Sequence, residues 1–169
     1  SKEYNIISVK PESKELGFVG TPTKIKTDVL KEVIVSDKIP VIAPLGLDEN
    51  NKTFNINADT AAGAIAKELK ARRLLMISDV EGVLDKNKIL ITEINSQKAK
   101  EMINENIISG GMIPKINNCI DVAINGVRGV VIIDGRKDHS VLFELLSTIS
   151  FWEFLEGWKS VITPLEPAS

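Results

Sequence analysis

The sequence is poor in the residues that most often carry metal, disulfide or stacking chemistry. Its 169 residues include one cysteine, one histidine and one tyrosine, and aromatic residues make up 5%. Cys119 alone cannot form an internal disulfide, and His139 has no Cys, His, Asp or Glu set around it at the spacing of a metal site. We therefore predict no disulfide and no resident metal, with Cys119 buried on the inner face of a helix.

The sequence also lacks an excess of either charge and any long apolar run. Lys and Arg number 21 against 23 Asp and Glu, for a net charge of -2, which gives no basic footprint for a nucleic acid or an anionic membrane. No apolar run approaches the roughly 20 residues of a membrane helix, and the first residues have no signal-peptide pattern. We expect a cytoplasmic protein without a nucleic-acid or membrane partner.

Strand and helix patterns alternate along the chain. Alternating residues predict a hairpin over residues 4–9 and 16–25, and apolar runs predict buried strands over residues 39–45, 72–77 and 127–133, with a short strand at 89–91. Helical patterns cover residues 58–69, 96–103, 112–124 and 139–146, and a short helix begins with Thr27 as its N-cap. This order predicts an α/β fold, a three-layer αβα sandwich with a mainly parallel sheet.

The tail from residue 150 differs from the rest. It holds both tryptophans, and four of its apolar residues are spaced to share one helical stripe. We predict a short amphipathic helix followed by coil, docked on this domain or on a second copy, which would make a homo-oligomer. The alternative is an extension without a role. The stripe consists of Phe151, Trp152, Leu155 and Trp158.

Ligands of open α/β sheets collect where strands hand over to helices, so polar residues at those junctions are the candidate site. At the first junction Asn55, Asn57 and Asp59 bracket the start of an alanine-rich helix. One such residue is enough to cap a helix. The other two are either solvated or bind a ligand, and their chemistry favours neither.

The second junction, Ser78-Asp79-Val80-Glu81-Gly82-Val83-Leu84-Asp85, places three carboxylates and one glycine after a predicted strand. The residues suit a solvated turn. They equally suit a nucleotide site in which Asp79 accepts hydrogen bonds from a ribose and Gly82 lets the backbone approach the ligand.

The third junction is Ser109-Gly110-Gly111-Met112-Ile113-Pro114-Lys115, which leads into a helix. Adjacent glycines allow positive φ values that aim successive amides at a phosphate, and Lys115 adds a positive charge. The spacing is not that of a Walker loop, and a glycine-rich helix entry with an exposed lysine is the alternative.

The fourth junction contains His139, which we interpret as a polar residue at a helix end. No Gly-x-Ser-x-Gly elbow occurs, so a serine hydrolase is not indicated. Lysine, backbone amides and an orienting aspartate together suit phosphoryl transfer, which needs positioning and charge neutralisation more than a nucleophilic side chain.

Six segments occur in the order found in bacterial N-acetylglutamate kinases of the amino-acid kinase family, and residues 3–147 resemble those enzymes. The fold so implied is an amino-acid-kinase fold, here in part, whose carboxyl-terminal half binds ATP with Mg²⁺ and whose amino-terminal half binds N-acetyl-L-glutamate. The segments are Leu16-Gly-Phe-Val-Gly20, Ile39-Pro-Val-Ile-Ala-Pro44, Asn55-Ile-Asn-Ala-Asp59-Thr-Ala-Ala-Gly63, Ser78 to Asp85, Ile108-Ser-Gly-Gly-Met-Ile-Pro-Lys115 and Ile133-Asp-Gly-Arg136.

The resemblance also implies roles for individual residues. Asn55 resembles the residue that binds the acetylated amino acid, Asp59 the one that orients the active-site lysines, and Lys115 the lysine that stabilises the transferring phosphoryl group. His139 resembles a residue of the arginine-feedback site. The nucleotide surroundings are matched by Ser78, Asp79, Gly82, Asp85, Gly110, Gly111 and Met112.

The chain departs from the family at both ends. The family's glycine-rich first loop, second catalytic lysine and substrate-clamping arginine have no counterpart here, and the tail replaces a glycine-rich closing segment. We therefore expect residues 1–149 to be the ATP-binding half, inactive alone, and residues 150–169 a divergent tail. The alternatives are a non-catalytic nucleotide-binding or interaction module and a relative of aspartate or carbamate kinases.

Overall fold

Helices and strands alternate along the chain, which confirms the α/β class. The computed structural model describes residues 5–13, 15–146 and 159–163. The chain splits into two compact units, unit 1 (Ser1–Lys70) and unit 2 (Ala71–Ser169). Each unit has one four-stranded sheet. None of the described helices is long and apolar enough to cross a membrane.

Unit 1 begins with the predicted hairpin. Its strands β1 (Ile7–Pro11) and β2 (Gly20–Ile25) pair antiparallel, with a bulge between Ser8 and Val9. The sheet has the order β2-β1-β3-β4 and a buried apolar core against which α2 packs. The other elements are α1 (Thr27–Val35), β3 (Leu45–Leu47), β4 (Thr53–Asn55) and α2 (Ala58–Glu68).

The helix starts of unit 1 follow the sequence only in part. Thr27 was predicted as the N-cap of α1, but Lys26 holds that position and makes no side-chain cap bond. Thr27 is the first helical residue. In α2 the cap is Asn57, whose side chain accepts a hydrogen bond from the backbone of Thr60.

The predicted buried strand over residues 39–45 is wrong. Only Leu45 belongs to a strand, and no strand pairs with residues 39–44 in the described part of unit 1. The side chains still alternate between core and solvent: Ile42 packs on the core, whereas Ile39 and Val41 are 90% and 95% exposed. The run has the composition of a buried strand without the neighbours that would bury both of its faces.

Unit 2 carries a mixed sheet of order β5-β7-β8-β6. β5 pairs parallel with β7 and β6 with β8, but β7 and β8 are antiparallel, so the prediction of a mainly parallel sheet is only partly confirmed. The elements are β5 (Arg73–Ser78), β6 (Glu93–Asn95), α3 (Ser96–Asn104), α4 (Met112–Ile124), β7 (Gly129–Asp134), α5 (Ser140–Leu146) and β8 (Lys159–Thr163).

Position in the sheet decides how deeply each strand of unit 2 is buried. β7 has a neighbour on each side, and Val130 to Asp134 are all buried. β5 lies at the edge and leaves Ile77 56% exposed, although its sequence predicts a fully buried strand. Beside the sheet, α4 begins and ends as predicted and holds Cys119 fully buried.

The tail contributes a strand that its sequence did not predict. Lys159–Thr163 was assigned to the helix end and coil, yet it forms β8 between β7 and β6, with Ile162 fully buried. Val and Ile at positions 161 and 162 supply the β-branched side chains that suit a sheet interior. The predicted helical stripe lies outside the described residues, and the functional division at residue 149 stays a prediction.

Candidate functional site

In unit 1 the three Asx residues of the first junction have different surroundings. Asn57 is the helix cap: its Oδ1 accepts hydrogen bonds from the Thr60 amide at 3.1 Å and the Thr60 hydroxyl at 3.3 Å. Asp59 is half-buried in the first turn of α2, where the helix dipole favours a negative charge. One residue of the three is thus explained by capping alone.

Asn55 is held by its backbone and exposed at its side chain. It ends β4 opposite Leu45, bridges to Val19, and donates its backbone N–H to the carbonyl of Phe18 at 2.8 Å. The ring of Phe18 lies 5.9 Å from that of Phe54, which steadies the same corner. The amide side chain of Asn55 is therefore presented from a fixed backbone.

In unit 2 the second and fourth junctions lie side by side. β5 and β7 run parallel with Ser78 opposite Asp134, so the carboxyl ends of both strands lie at the same end of the sheet. The amide of Gly135 donates to the carbonyl of Ser78 at 2.7 Å, and this bond ties the two exits together. The segments that follow the strands are neighbours from their first residue.

The sequence reasoning missed, as a site, an ion pair at this end of the sheet between the buried Asp134 and the largely exposed Arg136. Asp134 is 1% exposed, and its two oxygens accept hydrogen bonds from Arg136 Nε and Nη2, each at 2.8 Å. The guanidinium of Arg136 lowers the pKa of the Asp134 carboxyl from its usual 3.8 to about 2. The signal available was an aspartate at the end of a buried strand with an arginine two residues later.

Arg136 also lies in the field of the second junction. Its hydrogen bonds to Asp134 raise the pKa of its guanidinium, and the negative charges of Glu81 and Asp79 raise it further. Its side chain is 59% exposed. The Ser78 hydroxyl donates to Asp79 at 3.5 Å. The carboxyl ends of β5 and β7 therefore place one cation, Arg136, beside two exposed carboxylates, Asp79 and Glu81.

The loop after Asp79 folds back on itself. Residues 83–85 and 89–91 form two legs, joined by the Leu84–Leu90 bridge and by the Ile91 amide, which donates to the Val83 carbonyl at 2.8 Å. The short strand predicted at 89–91 is thus one leg of a turn, and the regular strand β6 follows it. We call residues 79–92 the nucleotide loop, after the role predicted for Asp79 to Asp85 at its start.

Two residues that were predicted to bind the nucleotide, Asp85 and Gly82, have structural roles inside this loop. Asp85 Oδ1 accepts hydrogen bonds from the amides of Asn87 and Ile89, both at 2.8 Å, and so shapes the turn. Gly82 has φ 142°, and a Cβ there would lie 2.7 Å from Ser160 Oγ. Close packing accounts for this glycine without any ligand.

The third junction is the N-terminus of α4. Gly110 has φ 59°, Gly111 is the N-cap without a side-chain bond, and a Cβ on either would meet no atom within 4 Å. Met112 follows as the first helical residue, and the half-buried Lys115 lies in the first turn. A helix start with open glycines and a lysine suits a phosphate.

These junctions lie at one end of unit 2. α4 packs on β7 and is joined to it through residues 125–128 only, so the two run in opposite directions. Thirteen helical residues and six strand residues both span about 20 Å. The N-terminus of α4 therefore lies at the end where β7 finishes and the nucleotide loop leaves β5.

His139 directly precedes α5. It is exposed, has a left-handed φ of 63°, and its carbonyl accepts the amide hydrogen of Phe143 at 3.0 Å. Its position is the helix-terminal one that the sequence indicates. Its predicted part in arginine binding stays a prediction.

Comparison with known proteins gives the same family along most of the chain. The curated acetylglutamate kinase of Pelagibacter ubique is 70% identical over 147 residues, covering 87% of this chain and 51% of its own length. That of Rhodospirillum rubrum is 55% identical over 133 residues, covering 79% and 43%. The chain thus spans about half the length of these relatives.

A solved structure and a family model agree with these relatives. A Streptococcus mutans UA159 protein of known crystal structure superposes with a TM-score of 0.75 at 31% identity, over 94% of this chain and 56% of its own. The model of the amino acid kinase family matches residues 1–134. The chain belongs to the amino acid kinase family.

Proposed function

We propose that this chain supplies the ATP-binding half of an acetylglutamate kinase, which transfers a phosphoryl group from ATP to the side-chain carboxylate of N-acetyl-L-glutamate. The observation that carries the proposal is the gathering of the nucleotide loop, the N-terminus of α4 and the Asp134–Arg136 pair at one end of unit 2. The names of the relatives support the choice of substrate.

The chemistry assigned to this end is binding and charge neutralisation. The uncrowded glycines Gly110 and Gly111 would let the phosphates approach the N-terminus of α4, and Lys115 would offset the negative charge that spreads over the phosphoryl oxygens as the group moves. Asp79, on the neighbouring loop, would accept hydrogen bonds from the ribose. In unit 1, Asn55 would bind N-acetylglutamate and Asp59 would orient the lysines.

Magnesium would arrive with the nucleotide. Within residues 5–13, 15–146 and 159–163, no three His, Cys, Asp or Glu side chains are grouped so that they could hold a metal ion. Mg²⁺ typically keeps several waters and is bound through substrate phosphates and one or two carboxylates.

Nucleotide binding by the isolated chain tests the proposal directly. Titration calorimetry with Mg-ATP should detect binding, and Lys115→Ala should weaken it about tenfold or more, because a charge-assisted contact to phosphate is lost. Lys100→Ala, which removes an exposed lysine from α3, is the matched control and should bind as the parent does. Absence of Mg-ATP binding by the parent chain would overturn the proposal.

Turnover separates the kinase from a non-catalytic module. The chain alone should not phosphorylate N-acetylglutamate in a coupled assay, whereas addition of the amino-terminal half of a relative should restore turnover. The exposed apolar run at residues 39–45 favours an interaction module as the second candidate, because such surfaces often meet a partner. Nucleotide binding without turnover in the presence of that half would support the second candidate.

A further inference from the structure

Ser160 of the tail strand β8 is a fully buried polar residue that the proposed function does not use. Its hydroxyl lies between the two legs of the nucleotide loop. It accepts a hydrogen bond from the Val83 amide at 2.8 Å and donates one to the Ile91 carbonyl at 2.5 Å. One side chain thus contacts both legs at their base.

The hydroxyl completes a pairing that the legs do not make directly. Two antiparallel residues of a hydrogen-bonded pair exchange two N–H to carbonyl bonds. Val83 and Ile91 make one, from the Ile91 amide to the Val83 carbonyl. The remaining amide and carbonyl both bond to Ser160. Because Val83 is 1% exposed, its amide would be costly to leave without a partner.

The surroundings are built to admit this hydroxyl. A Cβ at Gly82 would stand 2.7 Å from Ser160 Oγ and 2.8 Å from Leu90 Cδ1, which is too close for either atom to stay. Only glycine leaves the space, and its φ of 142° is one that other residues rarely adopt. Gly82 and Ser160 therefore fit as a pair.

β8 gives Ser160 a rigid base. Ser160 lies opposite Ile132 of β7, and the next residue, Val161, donates its amide to the Thr92 carbonyl at 2.9 Å. β8 is paired on both sides. The hydroxyl therefore links the interior of the sheet to both legs of the nucleotide loop at their base.

We propose that Ser160 is a positioning residue for the nucleotide loop: it holds the base of both legs against β8 and so places Asp79 for the nucleotide. The assignment of the ligand rests on the proposed function. The positioning itself concerns the free protein and can be measured without any ligand. A residue from the divergent tail would thereby be part of the machinery that binds the nucleotide.

Amide hydrogen exchange of the free chain tests the positioning. Ser160→Ala should speed exchange at Val83 and through residues 79–92, while the amides shared by β5 and β7 keep the parent rate. Ser160→Cys retains a weaker donor and acceptor and should restore part of the protection. Ser96→Ala removes a buried serine at the start of α3 and is the matched control. Unchanged exchange in the loop, or equal acceleration throughout unit 2, would overturn the proposal.

Titration with Mg-ADP tests the consequence for the ligand. Ser160→Ala removes both hydrogen bonds of the hydroxyl and should weaken binding by several-fold to about tenfold, while Ser96→Ala should not. If Ser160→Ala does not fold, Ser160→Cys keeps the shape with a weaker donor and should give a smaller change in the same direction. Parent-level affinity in a variant whose loop exchanges faster would overturn the placement of Asp79.

The two proposals fail in different ways. If the parent chain does not bind Mg-ADP or Mg-ATP, the proposed function is wrong, and the exchange rates at residues 79–92 still decide whether Ser160 positions the loop. If the parent binds nucleotide and Ser160→Ala leaves amide exchange at residues 79–92 unchanged, the positioning proposal is wrong and the proposed function stands.

Discussion

Residues 39–45 and strand β7 are two apolar, β-branched runs that predict the same thing, a strand buried on both faces. β7 fulfils the prediction, because β5 and β8 flank it and Val130 to Asp134 are all buried. The other run leaves Val41 95% exposed and enters a strand only at Leu45. An apolar, β-branched composition predicts a buried strand, but the segment is buried only where neighbouring strands pair with it.

The largest expected effect comes from one truncation made in each run. Ile132 is fully buried in β7, and Ile132→Ala should lower the free energy of unfolding by about 2–5 kcal/mol, through lost transfer energy and the cavity it leaves. Ile39 is 90% exposed, and Ile39→Ala should change it by about 0.5 kcal/mol or less. Urea denaturation of both variants checks this. Equal losses would mean that residues 39–45 are buried in solution.

A smaller effect, dependent on pH, is expected where β7 ends. The pKa of Asp134 is lowered to about 2, so its charged form is favoured by folding. The charged carboxylate therefore stabilises the folded state at pH values above its usual pKa of 3.8, and this stabilisation is lost as the pH falls through about 2. Asp134→Asn should melt below the parent at pH 7, and the gap should close between these two values.

Asp138→Asn is the control for that measurement, because Asp138 is an exposed carboxylate in the turn after β7. Its melting temperature should follow that of the parent across the same pH range. A gap between the parent and Asp134→Asn that widens toward acid would contradict the ion pair with Arg136.

The smallest expected effect on stability, yet a sharp test of exposure, is a single cysteine in the uncovered run. Val41→Cys should react with a thiol reagent at nearly the rate of a free thiol, because the side chain stands in solvent. The native Cys119 is fully buried in α4 and serves as the internal control, reacting only after denaturation. Melting temperatures should be unchanged. Slow labelling at position 41 would show that another segment or a second copy covers the run.

Local signals predicted much of unit 2 and the hairpin of unit 1. The limits of α4 were predicted correctly, because apolar residues at helical spacing and a glycine entry are properties of that segment alone. The strands β1, β2 and β7 were predicted as strands, but their limits differ: residues 4–9, 16–25 and 127–133 were predicted, and the strands are Ile7–Pro11, Gly20–Ile25 and Gly129–Asp134. Fine features were less accurate: Thr27 is not a cap, and residues 89–91 form a loop leg, since caps and loop pairing depend on competing partners nearby.

The candidate site was likewise predicted where local sequence signals define it, and missed where it depends on contacts distant in sequence. The sequence, with its family resemblance, determined which polar residues stand at the junctions, including Asp79, Lys115 and the glycines before α4, because junction chemistry lies in short segments. Tertiary structure decided that the buried Asp134 pairs with Arg136, and that the tail supplies β8 with Ser160 inside the nucleotide loop. It also decided that no strand in the described part of unit 1 pairs with residues 39–44. Each of these outcomes depends on strand neighbours distant in sequence, which no local pattern of side chains encodes.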